Sequence, residues 1–134
     1  MKKYRSFFFL AALIFSLGLC SACTHVVENN DRTIQELARH MIKNTNTRYC
    51  CDMEPGLVHA ESGFSIWAGT HQVAFYKYNL ERKKMVEKLE QIKKTNRVYI
   101  LGYKYPALVH GSFIMIDYEN TPMREELIKA FLSF

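Results

Sequence analysis

Apolar residues recur at helical spacing in three stretches of the chain. One stripe runs through residues 31–46, and a narrower stripe runs through residues 80–95. A third stripe follows Thr121 and Pro122, which suit the N-cap and the first position of a helix. Spacing of three and four residues predicts amphipathic helices that each bury one face.

Two of these helices carry end signals in their sequence. Thr33 and Glu36 have the spacing of a capping box at the start of the first helix. Asn79 is the expected N-cap of the second helix, and Asn96 suits a left-handed residue at its exit. We therefore expect both helices to have defined ends.

Alternating or continuous apolar runs between the helices predict strands. There are five such runs, at residues 57–60, 64–68, 73–78, 97–105 and 112–118. Residues 61–63 are predicted to join the first two strands as a hairpin, and residues 47–56 to be a connector. Pro106 is expected to end the fourth strand or to place it at a sheet edge.

The predicted elements follow the order α-β-β-β-α-β-β-α. This order is typical of the α+β class, with an antiparallel or mixed sheet covered by helices on one face. We expect a single domain over residues 31–134, because the remaining chain has one-domain size.

One short sequence occurs twice in this domain. Residues 55–59 read PGLVH and residues 106–110 read PALVH. We expect two hairpins that use the same turn chemistry rather than a duplicated half-domain. If His59 and His110 met in the fold, they would form a shared pH-sensitive site.

The first segment of the chain has the pattern of a targeting signal. Lys2, Lys3 and Arg5 precede a nearly continuous apolar run over residues 6–19. A basic start, a short apolar run and small residues after it describe a secretory signal peptide. The run is short for a membrane span, which needs about 20 apolar residues.

The end of this segment resembles the lipobox of bacterial lipoproteins. Ser21 and Ala22 are the small residues that precede the acceptor, Cys23, and Cys20 is the alternative acceptor. The resemblance implies a signal peptide over residues 1–22, cleavage before Cys23, and acyl chains on that cysteine. It also implies an outer-membrane location facing the periplasm, because Thr24 stands where aspartate would retain the protein in the inner membrane.

Two consequences follow from this interpretation of the N-terminus. Residues 23–30 form a lipidated terminus and a short tether, whose residues 24–30 reach at most about 25 Å, so the domain lies close to the bilayer. The alternative is an uncleaved single-pass anchor in the inner membrane, with the domain again in the periplasm.

Charge and composition limit the possible partners. The 134 residues include 18 lysines and arginines and 13 aspartates and glutamates. Removal of residues 1–22 leaves 15 basic against 13 acidic residues. That near balance argues against a nucleic-acid-binding protein, which needs a clustered basic face.

The domain contains two adjacent cysteines, Cys50 and Cys51. They are expected either to form a strained vicinal disulfide, to bridge to another chain, or to remain as buried thiols. Adjacent α-carbons are about 3.8 Å apart, which is below the usual range for a disulfide. No ligand spacing supports a metal site, although His59 or His71 would be the partners of such a site.

No catalytic motif is present, and the sequence predicts neither an enzyme nor a cofactor. The candidate binding surface consists of aromatic residues on predicted strands, namely Trp67, Tyr99, Tyr103 and Tyr105. Alternation predicts that the three tyrosines share one side of their strand.

We expect a non-enzymatic accessory or assembly factor for an envelope machine of the pilus, secretion or conjugation type. Its partners would be the membrane, through the lipid, and an envelope protein. The alternatives are an immunity or entry-exclusion lipoprotein, a peptidoglycan-binding module, and a single-pass inner-membrane partner of a sensor.

Overall fold

The computed structural model describes residues 28–134. Within this range the chain forms one antiparallel sheet with the strand order β1-β2-β3-β6-β5-β4. The strands are β1 (Arg48–Asp52), β2 (Ser62–Ala68), β3 (His71–Lys77), β4 (Arg97–Ile100), β5 (Tyr103–His110) and β6 (Phe113–Ile116). The helices are α1 (Ile34–Asn44), α2 (Lys83–Thr95) and α3 (Arg124–Leu132).

The α+β class is confirmed, and the order of elements matches the prediction with a sixth strand added. The added strand comes from the region of the single strand predicted at residues 97–105, which forms β4 and β5. The strand β1 lies in the segment predicted to be a connector and takes the place of the strand predicted at residues 57–60. Its sequence RYCCD has no alternation, because most of its side chains are exposed on an edge strand. Pairing with β2, and not burial, defines this strand.

The predicted strand over residues 57–60 is wrong. Pro55–Val58 instead forms a short 3₁₀ helix, whose first turn is capped by the Glu54 carboxylate accepting from the Gly56 N–H at 3.0 Å. The hairpin predicted at residues 61–63 therefore does not form. The hairpin in this region joins β2 to β3 through residues 69–70.

The single strand predicted over residues 97–105 is also wrong. Leu101 and Gly102 have φ values of 50° and 84° and turn the chain back, so that β4 and β5 form a hairpin. A two-residue loop with both φ values positive is the type I′ geometry that suits hairpin twist.

Pro106 lies inside β5 and not at its end. The Pro106 carbonyl accepts from the Asp117 N–H at 3.1 Å, and the neighbouring Ala107 N–H donates to the Asn96 carbonyl. Pro106 has no N–H to donate to the Asp117 carbonyl in return. The Asp117 carbonyl accepts instead from the His71 ring, whose Nε2 lies 3.0 Å away.

The helix ends agree only in part with the prediction. The capping box of Thr33 and Glu36 is present, and Asn96 ends α2 in the left-handed conformation with φ of 51°. Asn79 does not cap α2, which begins at Lys83. Thr121 accepts from the Met123 N–H in the turn before α3, and α3 itself begins at Arg124.

Helices cover both faces of the sheet, so the expectation of a single covered face is wrong. The helices α1 and α3 pack on one face around Phe75, Phe113 and Phe131. The helix α2 and the 3₁₀ helix pack on the other face around Tyr76, Tyr78 and other apolar residues. The largest side chains of both clusters are fully buried, so each half of the core contributes to stability.

Candidate functional site

Three large side chains at the β4–β5 turn are exposed to solvent. We call Tyr99, Leu101 and Tyr103 the apolar tip; their exposed fractions are 60%, 83% and 71%. A Cβ built on Gly102 between them would meet no atom within 4 Å. The tip is therefore an open apolar feature at the end of a hairpin.

The two tyrosines of the tip lie on opposite faces of the hairpin. Tyr99 is opposite Lys104 in the ladder, whereas Tyr103 is opposite Ile100. Ile100 and Tyr105 pack against the core on the α2 side. The prediction that Tyr99 shares one side with Tyr103 and Tyr105 is wrong, because the turn at residues 101–102 breaks the alternation.

Trp67 does not join this surface. It lies on β2, opposite Arg48 of β1 and Gln72 of β3, and is only half-exposed. The strands β3 and β6 separate it from β5 in the sheet. The predicted aromatic surface therefore divides into the tip, a half-buried Tyr105, and a distant tryptophan.

Leu101 is the tip residue that the sequence pattern does not reveal. It is the most exposed large apolar residue among the described ones. The available signal was the dipeptide Leu101-Gly102, since a glycine inside an apolar run often marks a turn. Strong β-strand residues on both sides concealed it.

The second candidate feature lies at the opposite sheet edge. A β-bulge between Tyr49 and Cys51 inserts Cys50 as the extra residue in β1. Adjacent residues of a regular strand point to opposite faces, but a bulge turns two neighbours toward one side. As a result both thiols approach the Gln72 side chain, and their sulfurs lie 3.5 Å apart.

A third sulfur lies at the same place. The Nε2 atom of Gln72 is 3.7 Å from Cys50 Sγ, 3.9 Å from Cys51 Sγ and 3.8 Å from Met53 Sδ. We call Cys50, Cys51 and Met53 the sulfur cluster. Neither Met53 nor Gln72 was anticipated from the sequence, because the bulge that gathers them leaves no local signal.

The cysteines do not match the expectation of two buried thiols. Both are free, Cys50 is half-buried and Cys51 is exposed. The vicinal and intermolecular disulfides remain predictions.

The histidines do not form a shared site. His59 is exposed after the 3₁₀ helix, whereas His110 is buried on the α3 face, with its ring 5.7 Å from that of Phe131. Burial lowers the pKa of His110 below its ordinary value. Within residues 28–134, no three His, Cys, Asp or Glu side chains are close enough together to hold a metal ion.

The beginning of the described chain is fixed to the β5–β6 turn. The Asn29 side chain is buried; it donates to the His110 carbonyl at 3.2 Å and accepts from the Ser112 N–H at 2.9 Å. The side chain of Asn30 accepts from the Leu80 N–H at 3.3 Å. Two residues assigned to the tether in the sequence analysis are thus packed on the domain.

Cys23 and Cys20, the predicted lipidation sites, lie outside the described residues. From residue 28 to the C-terminus, the helices are too short or too polar to cross a bilayer.

Comparison with protein-family models, with curated proteins and with solved structures gives no match to this chain.

Proposed function

We propose that this chain is a lipid-anchored, non-enzymatic accessory protein on the periplasmic face of the outer membrane. Its domain docks onto a protein of an envelope machine of the pilus, secretion or conjugation type, and the apolar tip is the docking element.

The conformation of Leu101 is the observation that carries the proposal. A non-glycine residue with φ near 50° costs roughly 1–2 kcal/mol, and asparagine is the usual choice at this position of a type I′ turn. Leu101 bears that cost with 83% of its surface exposed, so packing within the domain recovers little of it. Strain without an internal gain is typical of functional sites.

The shape of the tip favours a groove on the partner. Because Tyr99 and Tyr103 lie on opposite faces of the hairpin, a partner must contact both faces to bury them. Tyrosines with a central leucine are suited to a desolvated hot spot. The exposed Lys104 beside Tyr99 favours a groove with acidic side chains at its rim.

The position of the tether favours a protein partner over the bilayer. The described chain begins at the β5–β6 turn, whereas the tip precedes β5 at that strand's other end. The eight residues of β5 correspond to about 23 Å of extended chain. Five residue steps join Cys23 to Glu28 and reach only about 18 Å. A lipid on Cys23 would therefore tether the sheet by the end opposite the tip, which leaves the tip accessible to a protein partner.

Affinity purification from detergent-extracted membranes tests the docking element. The tagged wild-type chain is compared with Leu101→Asn and with a matched control, Leu132→Asn, at an exposed leucine of α3. We expect one envelope protein to co-purify with the wild type and with the control, and to be lost with Leu101→Asn. Asparagine suits the turn, so unfolding would not account for that loss.

Two outcomes would overturn this proposal. One is repeated recovery of the wild type without any envelope protein. The other is equal recovery of the same protein by Leu101→Asn. Sedimentation of the wild type with purified sacculi, independent of the tip residues, would instead support the peptidoglycan-binding alternative.

The anchor is tested by the intact mass of the membrane-extracted protein. A chain that begins at Cys23 and carries added acyl mass supports lipidation. A mass that retains Met1 or Lys2 would replace the lipoprotein with a single-pass inner-membrane protein.

A further inference from the structure

The sulfur cluster gathers three soft donor atoms around one side chain. All three sulfurs lie within 3.9 Å of a single atom, Nε2 of Gln72. Metal–thiolate bonds are about 2.3 Å long, so two sulfurs on one ion lie no more than about 4.6 Å apart. The 3.5 Å between the Cys50 and Cys51 sulfurs satisfies that limit as the side chains stand.

Hydrogen bonding leaves these sulfurs incompletely satisfied. The Gln72 amide nitrogen has two protons but four acceptors within reach, and the shortest contact, 2.8 Å, goes to Ser65 Oγ. At most one proton remains for the three sulfurs. The Cys50 thiol also contacts the Cys51 sulfur at 3.5 Å, and Ser65 Oγ lies 3.4 Å from the Cys51 sulfur. Loss of the thiol protons would free lone pairs for a cation that prefers sulfur, with Gln72 as an outer hydrogen-bond donor to a thiolate.

The donor set selects the kind of ion. Structural zinc takes four nitrogen, sulfur or carboxylate ligands, and among the described residues no third His, Cys, Asp or Glu joins the two thiols. Hard cations prefer oxygen ligands. Two thiolates and a thioether form a sulfur-only set of low coordination number, which suits monovalent copper.

From this geometry we infer that Cys50, Cys51 and Met53 form a binding site for a thiophilic monovalent cation, Cu(I). Binding replaces the two S–H bonds with two metal–thiolate bonds and releases two protons, while Met53 donates a lone pair and releases none. No electron is transferred. The site does not depend on the proposed docking function, because the sulfur cluster and the tip lie at opposite edges of the sheet.

The bulge places the Cys50 and Cys51 side chains on one face of β1 and so creates this site. Without the extra residue, Cys50 and Cys51 would lie on opposite faces of β1 and could not bind one ion. Exposure of Cys51 at the edge leaves an entry path.

A competition titration tests the site directly. The full chain, extracted from membranes and kept reduced and free of oxygen, is titrated with Cu(I) in the presence of a chromogenic Cu(I) chelator. We expect the wild type to withhold one equivalent of copper from the chelator. Cys50→Ser and Cys51→Ser should each abolish this retention. Met53→Leu should weaken it by at least the roughly 10-fold that loss of an outer-shell partner costs.

A matched control and a second measurement separate binding from folding. Met123→Leu changes a methionine that packs on the other face of the sheet and should leave retention unchanged. In the unmodified chain, one equivalent of Cu(I) should protect both Cys50 and Cys51 from alkylation, as measured by peptide mass.

Several results would overturn the site. Complete transfer of copper from the wild type to the chelator would do so, as would retention by the Cys50→Ser, Cys51→Ser double variant. Unchanged copper retention by Met53→Leu would show that the Met53 thioether is not a ligand. One copper per two chains would show that the ion bridges molecules, and equally tight retention of zinc would contradict selection by soft ligands.

Discussion

Both turns that flank β5 contain residues with positive φ, but one turn is exposed to solvent and the other is packed against the N-terminal segment. At its N-terminal end, Leu101 and Gly102 turn the chain with positive φ, and the side chains around them are exposed. At its C-terminal end, Gly111 turns the chain with φ of 60°, and Asn29 seals that turn. We call the β5–β6 turn, on which Asn29 packs, the sealed turn, and the β4–β5 turn, which is exposed to solvent, the open turn.

The difference shows in what a methyl group would meet. A Cβ at Gly111 would clash with the side-chain amide of Asn29, whereas a Cβ at Gly102 would meet nothing within 4 Å. The sealed turn holds the beginning of the domain against the sheet. The open turn bears an exposed leucine with positive φ, which is why we assign partner binding to the tip.

The largest effect is expected for Gly111→Ala. The left-handed conformation and the forced displacement of Asn29 should together lower the free energy of unfolding by about 2–4 kcal/mol. The matched Gly102→Ala should cost only the conformational part, about 1–2 kcal/mol. Urea denaturation measures both, and equal losses at the two glycines would contradict the contrast between the turns.

The next effect is expected for Asn29→Ala. This change leaves the buried Ser112 N–H and the His110 carbonyl without the partners they have in the fold, at a cost of about 1–3 kcal/mol. Asn120→Ala, at an exposed loop position, is the control and should be near neutral. If the loss at Asn29 were no greater than at Asn120, the sealed turn would not depend on the N-terminal segment.

A stabilising change is expected at the open turn. Leu101→Asn should raise the free energy of unfolding by about 1 kcal/mol, because asparagine tolerates positive φ at lower cost. Thermal unfolding would show a higher midpoint for this variant than for the wild type. A lower midpoint would mean that Leu101 packs within the domain, and the case for strain at a functional site would fail.

The smallest effect is a pH dependence at the sealed turn. The pKa of His110 is lower in the fold than the ordinary 6.5, because its ring is buried. Its neutral form is therefore favoured in the fold. This contribution to stability is fully present above about pH 6.5 and is lost as the pH falls from there through the folded pKa.

Urea denaturation at about pH 7.5 and about pH 5 measures this loss. The decrease should be smaller in His110→Leu than in the wild type. It should be unchanged in the control Asn120→Ala, which alters no titratable group. An unchanged decrease in His110→Leu would show that other groups cause it.

The elements that have a local periodic pattern were predicted correctly from the sequence. Apolar spacing located the three helices of residues 28–134, and the capping box and Asn96 were found from single residues. The strand β1 was missed because an edge strand with mostly exposed side chains lacks a hydrophobic pattern. The exposed tip was partly found, since Tyr99 and Tyr103 belong to it and Leu101 was concealed in an apolar run.

The repeated Leu-Val-His sequence shows where local inference ends. Residues 57–59 lie in and directly after a 3₁₀ helix, whereas residues 108–110 lie in a strand that β6 pairs along these positions. The same three residues differ in structure because Glu54 caps the first copy and a neighbouring strand pairs with the second. The sulfur cluster was likewise beyond local inference, because the β1–β2 register creates the bulge.

Site-specific photo-crosslinking in living cells tests the docking claim most directly. A photoreactive residue at Leu101 is compared with one at Leu80, an exposed leucine beside Asn30 at the sealed end of the sheet. We predict that Leu101 forms one discrete adduct with an envelope protein, and that Leu80 does not form it. An adduct of Leu101 with lipid alone, or the same protein adduct from both positions, would contradict the account.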